Sequence, residues 1–430
     1  MYLKNVCAVR MRALLRLAAV GACLLVTAFF ALAFAAPAAH KRAAASTRAT
    51  TGAAKKSSAT VQVPRLTRTT VLRFSKNSAL QTRVRQQRVV RARRYYSPWN
   101  VPTYANSAEG DLFEGDDPVV RQAAIQALAG LNGTVVVAEA ETGRVLTIVN
   151  QKLAFRDGFI PCSTVKVPVA LAALSEAIVE RDTRVRLGRY STIDMTQALA
   201  KSNNEYFAGL GRKLGFERVN HYARLFGMGE KAGWNIEGER AGILPSAPPA
   251  SGMGMMTSFG EGIALTPLEL TAFVGSVANG GTLYYLQYPR NPQEIEQFVP
   301  RIKRRLEIAA LIPEIKPGMQ GAVEYGTARV IGYGGGNTDD SIFGKTGTCT
   351  DDRSPTHMGW FGSFKETGQG NIVTVVMLTG GRGVSGPAAA GVAGNFYKNL
   401  TASGYFTEEP PSEGTIIPGF PATRSLLPLR

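Results

Sequence analysis

Thr134-Val135-Val136-Val137-Ala138, then Glu141-Thr142-Gly143, then Arg144-Val145-Leu146-Thr147-Ile148-Val149 is the stretch on which the fold turns. β-Branched residues fill both arms and a Thr-Gly turn separates them, so the stretch predicts an antiparallel hairpin. Upstream, Val119, Val120, Ala124, Ile125 and Leu128 recur at helical spacing and predict a helix over 116–131. Downstream, a helix is expected from about 164 to 179, and helical patterns return at 195–210 and 217–226. Residues 359–364 and 372–378 read as two further strands, and 386–399 as a closing helix. A hairpin, a block of helices, then strands and a last helix does not alternate as βαβ units do. The order implies an α+β domain whose sheet joins the two ends of the domain.

With 430 residues, 45% of them hydrophobic, the chain has material for one large core or two small ones. Its net charge of +17 is unevenly placed. No Asp or Glu precedes Glu109, while residues 1–108 hold 19 Lys and Arg; the remainder holds 30 against 32 acids, a balance of −2. A nucleic-acid-binding domain carries its basic patch on its folded surface, so no nucleic-acid partner is expected. Residues 17–39 are uninterruptedly apolar or small, behind Lys4, Arg10, Arg12 and Arg16. That is a signal peptide or membrane anchor, and either implies export to the cell envelope, periplasmic or on the outer face of the membrane. Residues 40–95 are rich in Ala, Ser, Thr and Arg and lack periodicity, which reads as a flexible basic linker suited to anionic lipid or wall polymers.

Three short motifs carry chemistry. In Ser163-Thr164-Val165-Lys166, a helix start places the serine and lysine on one face, where a neutral amine can activate the hydroxyl. Such an amine needs a depressed pKa, by burial or a neighbouring cation. In Ser202-Asn203-Asn204, the hydroxyl can relay a proton and the Asn204 amide can hold a peptide bond. In Lys345-Thr346-Gly347-Thr348, read as an edge strand, the glycine leaves room for a substrate backbone, and two hydroxyls and an ammonium suit a carboxylate. The N–H groups of Ser163 and Thr348 are candidates for an oxyanion hole. Taken singly, each motif is equally a cap or turn beside a surface lysine. The three His residues show no metal spacing and no glycine-rich nucleotide motif follows a strand, so neither metal nor cofactor is expected.

In this order the motifs resemble the S-x-x-K, S-x-N and K-T-G set of penicillin-binding proteins and serine β-lactamases. The likeness extends through the opening hairpin, the flanks of Ser202 from Met195, and Gly238-Glu239 with Gly242 and Pro245. Gly260-Glu261-Gly262, Leu265-Thr266-Pro267, Ala278-Asn279-Gly280-Gly281, Gly326-Thr327-Ala328 and Gly359-Trp360-Phe361 continue it over about 110–400. The resemblance implies a five-stranded antiparallel sheet flanked by helices, with an all-helical subdomain and the site between them. It makes Ser163 the acylated nucleophile, Lys166 its base and Ser202 the relay, with Asn204, Lys345, Thr346, Gly347 and Thr348 holding substrate. The implied partners are peptidoglycan stem peptides and β-lactam antibiotics. The domain is expected over 109–402, preceded by the segments 1–39 and 40–108 and followed by a tail at 403–430.

Cys162 and Cys349 flank the nucleophile and the Lys345 motif, and the same two positions are bridged in carbapenem-hydrolysing class A β-lactamases. A Cys162–Cys349 disulfide is therefore expected. A β-lactamase would need a water-activating acid, but neither Glu237 nor Glu239 is followed four residues later by Asn. The reading is a D,D-transpeptidase, with D,D-carboxypeptidase and β-lactamase as alternatives. A penicillin sensor is less favoured, because sensors usually follow several membrane spans and one candidate is present.

Overall fold

The computed structural model describes residues 97–406 apart from 190, 333–340, 352–355 and 369. The apolar run at 17–39, the basic stretch at 40–95 and most of the expected tail lie outside the described residues. Among the described residues, no helix is long and apolar enough to cross a membrane.

Helix α1 (Pro118–Leu128) begins where the Asp117 carboxylate accepts the N–H groups of Val119 and Val120, at 2.9 and 3.0 Å. Pro118 then occupies a position that needs no donor. Strands β1 (Gly133–Glu139) and β2 (Val145–Val149) form the expected hairpin, with Val135 opposite Val149. The far end of the domain supplies β3 (Ile342–Asp351), β4 (Thr356–Thr367) and β5 (Gly370–Gly380). The five strands pair antiparallel in the order β2-β1-β5-β4-β3, so the two ends of the domain meet where Val136 faces Val375. The expected five-stranded sheet is present, and β3 is one edge of it.

Both faces of the sheet are covered, which explains why residues 134–138 run apolar without alternation. Val135, Val137, Phe361 and Val376 pack with α1 and with the closing helix α8 (Gly386–Ala402). Val373, Val375 and Met377 face Phe273, Val274 and Val277 of α6 (Pro267–Ala278). All twelve residues of α6 are buried, as a helix between a sheet and a helical layer must be. That layer contains α2 (Lys166–Ser175), α3 (Met195–Ala200), α4 (Asn204–Leu225), α5 (Met253–Phe259) and α7 (Ile312–Glu324).

The helix boundaries differ from the periodicity in informative places. The pattern at 195–210 is broken between α3 and α4, where Ser202 takes a left-handed conformation (φ 54°) and Asn203 caps Tyr206 N at 2.8 Å. Ser and Asn side chains compete with helical hydrogen bonding, and three in a row end one helix and start the next. The expected gap before 217 is instead a kink at Gly215 within α4. The helix expected from 164 opens as a 3-10 turn, Cys162–Val165, before α2.

One covalent tie joins the two halves of the site, and one buried carboxyl gathers loops at the head of α6. Cys162 is disulfide-bonded to Cys349, with Cα atoms 5.6 Å apart across a sequence separation of 187. Glu269, 1% exposed in the first turn of α6, completes a capping box with Thr266 and also accepts the N–H groups of Gly229 and Gly242, both at 2.9 Å. Burial pushes its carboxyl up to about 7 from an ordinary 4.5, against these N–H donors.

Folded protein therefore holds a proton on Glu269 that the unfolded chain releases near pH 4.5. The resulting stabilisation is complete below that pH and disappears as pH rises through 7. Relative to Glu269→Gln, the wild type should lose about 3 kcal/mol between pH 4 and 8 in urea titrations. Parallel pH profiles would contradict this. Removing the disulfide with Cys162→Ser and Cys349→Ser should cost about 2–5 kcal/mol, read as a lower unfolding midpoint. Non-reducing peptide mapping of the native protein should find the two cysteine peptides linked; two free thiols would refute the bridge.

Candidate active site

The turn that carries Ser163 is pinned by two hydrogen bonds. Trp360 Nε1 donates to Ile160 O at 3.0 Å and Thr164 Oγ1 donates to Pro161 O at 2.7 Å. Cys162 adopts positive φ (52°), so the chain turns sharply into the 3-10 turn. Ser163, 8% exposed, stands in that turn three residues before Lys166, and both project to one side.

Lys166 is wholly buried, and its Nζ lies 2.9 Å from Ser163 Oγ, 3.1 Å from Ser202 Oγ, 2.8 Å from Ser202 O and 2.5 Å from Asn204 Oδ1. The rings of Phe207 and Phe259 stand 5.8 and 6.0 Å away. Every polar neighbour is neutral, and burial lowers this amine from 10.5 to about 7. The break between α3 and α4 is what makes the arrangement possible. It frees the Ser202 carbonyl from helical bonding and sets Asn204 at the head of α4.

Lys345 reaches the same serine from the sheet, with Nζ 2.8 Å from Ser202 Oγ and 3.0 Å from Thr346 O. It is also buried, and burial, then the nearby charge of Lys166, holds its amine well below its ordinary value. Ser202 Oγ thus bridges two lysines, one from each half of the domain. Ser163, Lys166, Ser202, Asn204 and Lys345 form one connected group, drawn from all three motifs.

Gly347 is a point of close approach. A Cβ there would lie 3.0 Å from Pro161 O, 3.2 Å from Cys162 Cβ and 3.2 Å from Thr164 Cγ2. The missing side chain makes room for the turn that carries Ser163. Thr346 is buried, its hydroxyl 2.5 Å from that of Thr327. Thr348 is exposed, and its Oγ1 accepts the Gly386 N–H at 2.7 Å.

Two residues of the site were not singled out for chemistry by the sequence. Ser258 accepts a long bond from Ser163 Oγ at its carbonyl (3.4 Å) and donates its hydroxyl to Asn204 O at 2.8 Å. Nothing distinguishes it in the sequence from any serine in a helix. Thr327 lies in Gly326-Thr327-Ala328, whose family resemblance was legible although its contact with Thr346 was not. Among the described residues, no group of His, Cys, Asp and Glu is arranged to hold a metal ion.

The model of the penicillin-binding protein transpeptidase domain matches residues 133–401. Stage V sporulation protein D of Bacillus subtilis is 27% identical over 288 residues, 59% of this chain and 44% of that protein. Peptidoglycan D,D-transpeptidase FtsI of Escherichia coli is 27% identical over 248 residues, 47% of this chain and 42% of that protein. The matched region is thus less than half the length of either relative. The crystal structure of Pseudomonas aeruginosa PBP2 in complex with WCK 5153 superposes with a TM-score of 0.56 at 24% identity, covering 68% of this chain and 78% of that one. At that identity the superposition speaks for the fold. The family match spans most of the chain and all three motifs, and the chain belongs to the penicillin-binding protein transpeptidase domain family.

Proposed function

We propose that this chain is a peptidoglycan D,D-transpeptidase that forms an acyl-enzyme on Ser163 with D-Ala-D-Ala stem peptides and is acylated by penicillins. The observation that carries the reading is the buried Lys166 amine, in hydrogen-bond contact with Ser163 Oγ, Ser202 Oγ and Asn204 Oδ1. Neutral Lys166 takes the Ser163 proton as Oγ attacks the carbonyl carbon of the scissile peptide bond. The N–H groups of Ser163 and Thr348 stabilise the resulting oxyanion. Collapse breaks the C–N bond, and Ser202 passes a proton to the departing amine while regaining one from Lys166. A second stem-peptide amine then attacks the ester, loses its proton back through the same relay and frees Ser163. Asn204 holds the donor peptide, while Lys345, Thr346 and Thr348 hold its terminal carboxylate.

A D,D-carboxypeptidase would use water in the second half and the same residues throughout. β-Lactamase turnover is disfavoured by Glu239. Its buried carboxylate accepts the N–H groups of Ala232 and Gly233 at 2.8 and 3.0 Å, an anchoring role for the loop. The apolar run at 17–39 and the acid-free stretch behind it support export and a place at the cell envelope, by anchor or after cleavage.

Intact-mass measurement after mixing with a penicillin should show a stable adduct of one penicillin mass, absent in Ser163→Ala at an unchanged unfolding midpoint. Fast loss of the adduct would favour a β-lactamase, and no adduct on folded wild type would overturn the function. The acylation rate should rise with pH through about 7, as Lys166 loses its proton. A rate flat from pH 5.5 to 8.5 would remove Lys166 as the base.

A further inference from the structure

Helix α8 begins directly against the strand that carries Lys345. A Cβ on Gly386, its first residue, would lie 2.8 Å from Gly347 O, 2.9 Å from Thr346 Cβ and 2.9 Å from Thr348 Oγ1. One strand further in, a Cβ on Gly359 would lie 2.2 Å from Ser385 O and 2.9 Å from Ser385 N. Gly359 is the cross-strand partner of Thr348. Two glycines, one on the sheet and one on the helix, therefore allow the Ser385-Gly386 backbone to rest on the Thr348 position.

The donors at this helix end are fully assigned. Ala389 N donates to Ser385 O at 3.0 Å in the first helical bond, and Ala388 N donates to the Ser385 side chain at 3.3 Å. Pro387 has no N–H. The Gly386 N–H points out of the helix and finds Thr348 Oγ1 at 2.7 Å. A hydroxyl that accepts a bond on one lone pair must send its own proton elsewhere. Thr348 is exposed, so its proton can point away from Gly386 toward solvent.

We infer that Gly386 is a positioning residue for substrate recognition. Its N–H fixes the Thr348 hydroxyl in the rotamer that donates outward to a substrate carboxylate, and its missing side chain lets the strand sit where it does. The inference rests on the reading of Thr348 as a carboxylate ligand. The Gly386 N–H belongs to the N-terminal end of a 17-residue helix, whose dipole favours an anionic group nearby. Gly386 touches the substrate only through Thr348.

The test compares second-order acylation of the full chain by benzylpenicillin and by its uncharged methyl ester, and follows the ratio of the two. Thr348→Val should lower that ratio about tenfold, while Thr348→Ser should keep it within about twofold. Gly386→Ala should lower it by about the same tenfold factor. Replacing Gly386 by glycolic acid, which exchanges the N–H for an ester oxygen without bulk, should do so even if the alanine variant folds poorly. A ratio unchanged in both Gly386 variants, with Thr348→Val still lowering it, would overturn the positioning role alone. An unchanged ratio in Thr348→Val would overturn the carboxylate reading itself. Equal slowing of both probes in the Gly386 variants would mark a purely structural contact and also refute the inference.

Discussion

A lysine amine placed out of water, with no carboxylate beside it, is the constraint on which the rest of this structure depends. Burying an ammonium unpaired is costly, and the group responds by giving up its proton near neutral pH. Lys166 is surrounded by a carbonyl, an amide oxygen and two hydroxyls, all able to accept from the charged form without cancelling its charge. Lys345, held by the same Ser202 hydroxyl, is likewise depressed, by burial first and then by the nearby charge of Lys166. A carboxylate in this space would favour the charged form and raise the amine's pKa.

Maintaining such a site requires that parts far apart in the chain meet without slack. The turn that carries Ser163 belongs to the helical layer and Lys345 to the edge of the sheet. Their contact runs through Gly347, which admits the turn, and through the disulfide one residue to either side of Ser163 and Thr348. α6, buried along its length, and the Glu269 carboxyl that gathers Gly229 and Gly242 keep the layer seated on the sheet. The positions of the reacting groups follow from ordinary packing, capping and one covalent link.

Much of this was legible in the sequence. The hairpin at 134–149 and the β-branched runs near the far end predicted a sheet joining both ends of the domain, and the strands pair in that way. The three motifs pointed to side chains that the fold brings together, because each depends on local geometry, a helix start or a strand, that its own residues specify. The break at Ser202 was hidden because the apolar spacing continues across it, and periodicity does not register a single left-handed residue. The contact made by Gly347 was also out of reach, since a glycine in a strand announces close approach but not the neighbour. Ser258, Thr327 and Gly386 contribute through partners 19 to 95 positions away, using chemistry that any Ser, Thr or Gly possesses. Only the assembled fold distinguishes them.

The central claim is that Lys166 is a neutral base at physiological pH, and direct titration of its side chain by carbon-13 NMR tests it most closely. Lysines labelled at Cε, with the Lys166 signal assigned by its loss in Lys166→Arg, should show that amine titrating at about 7 in the folded protein. A midpoint near the ordinary 10.5 would mean that Lys166 stays charged beside Ser163, and the account of how this serine is activated would be wrong.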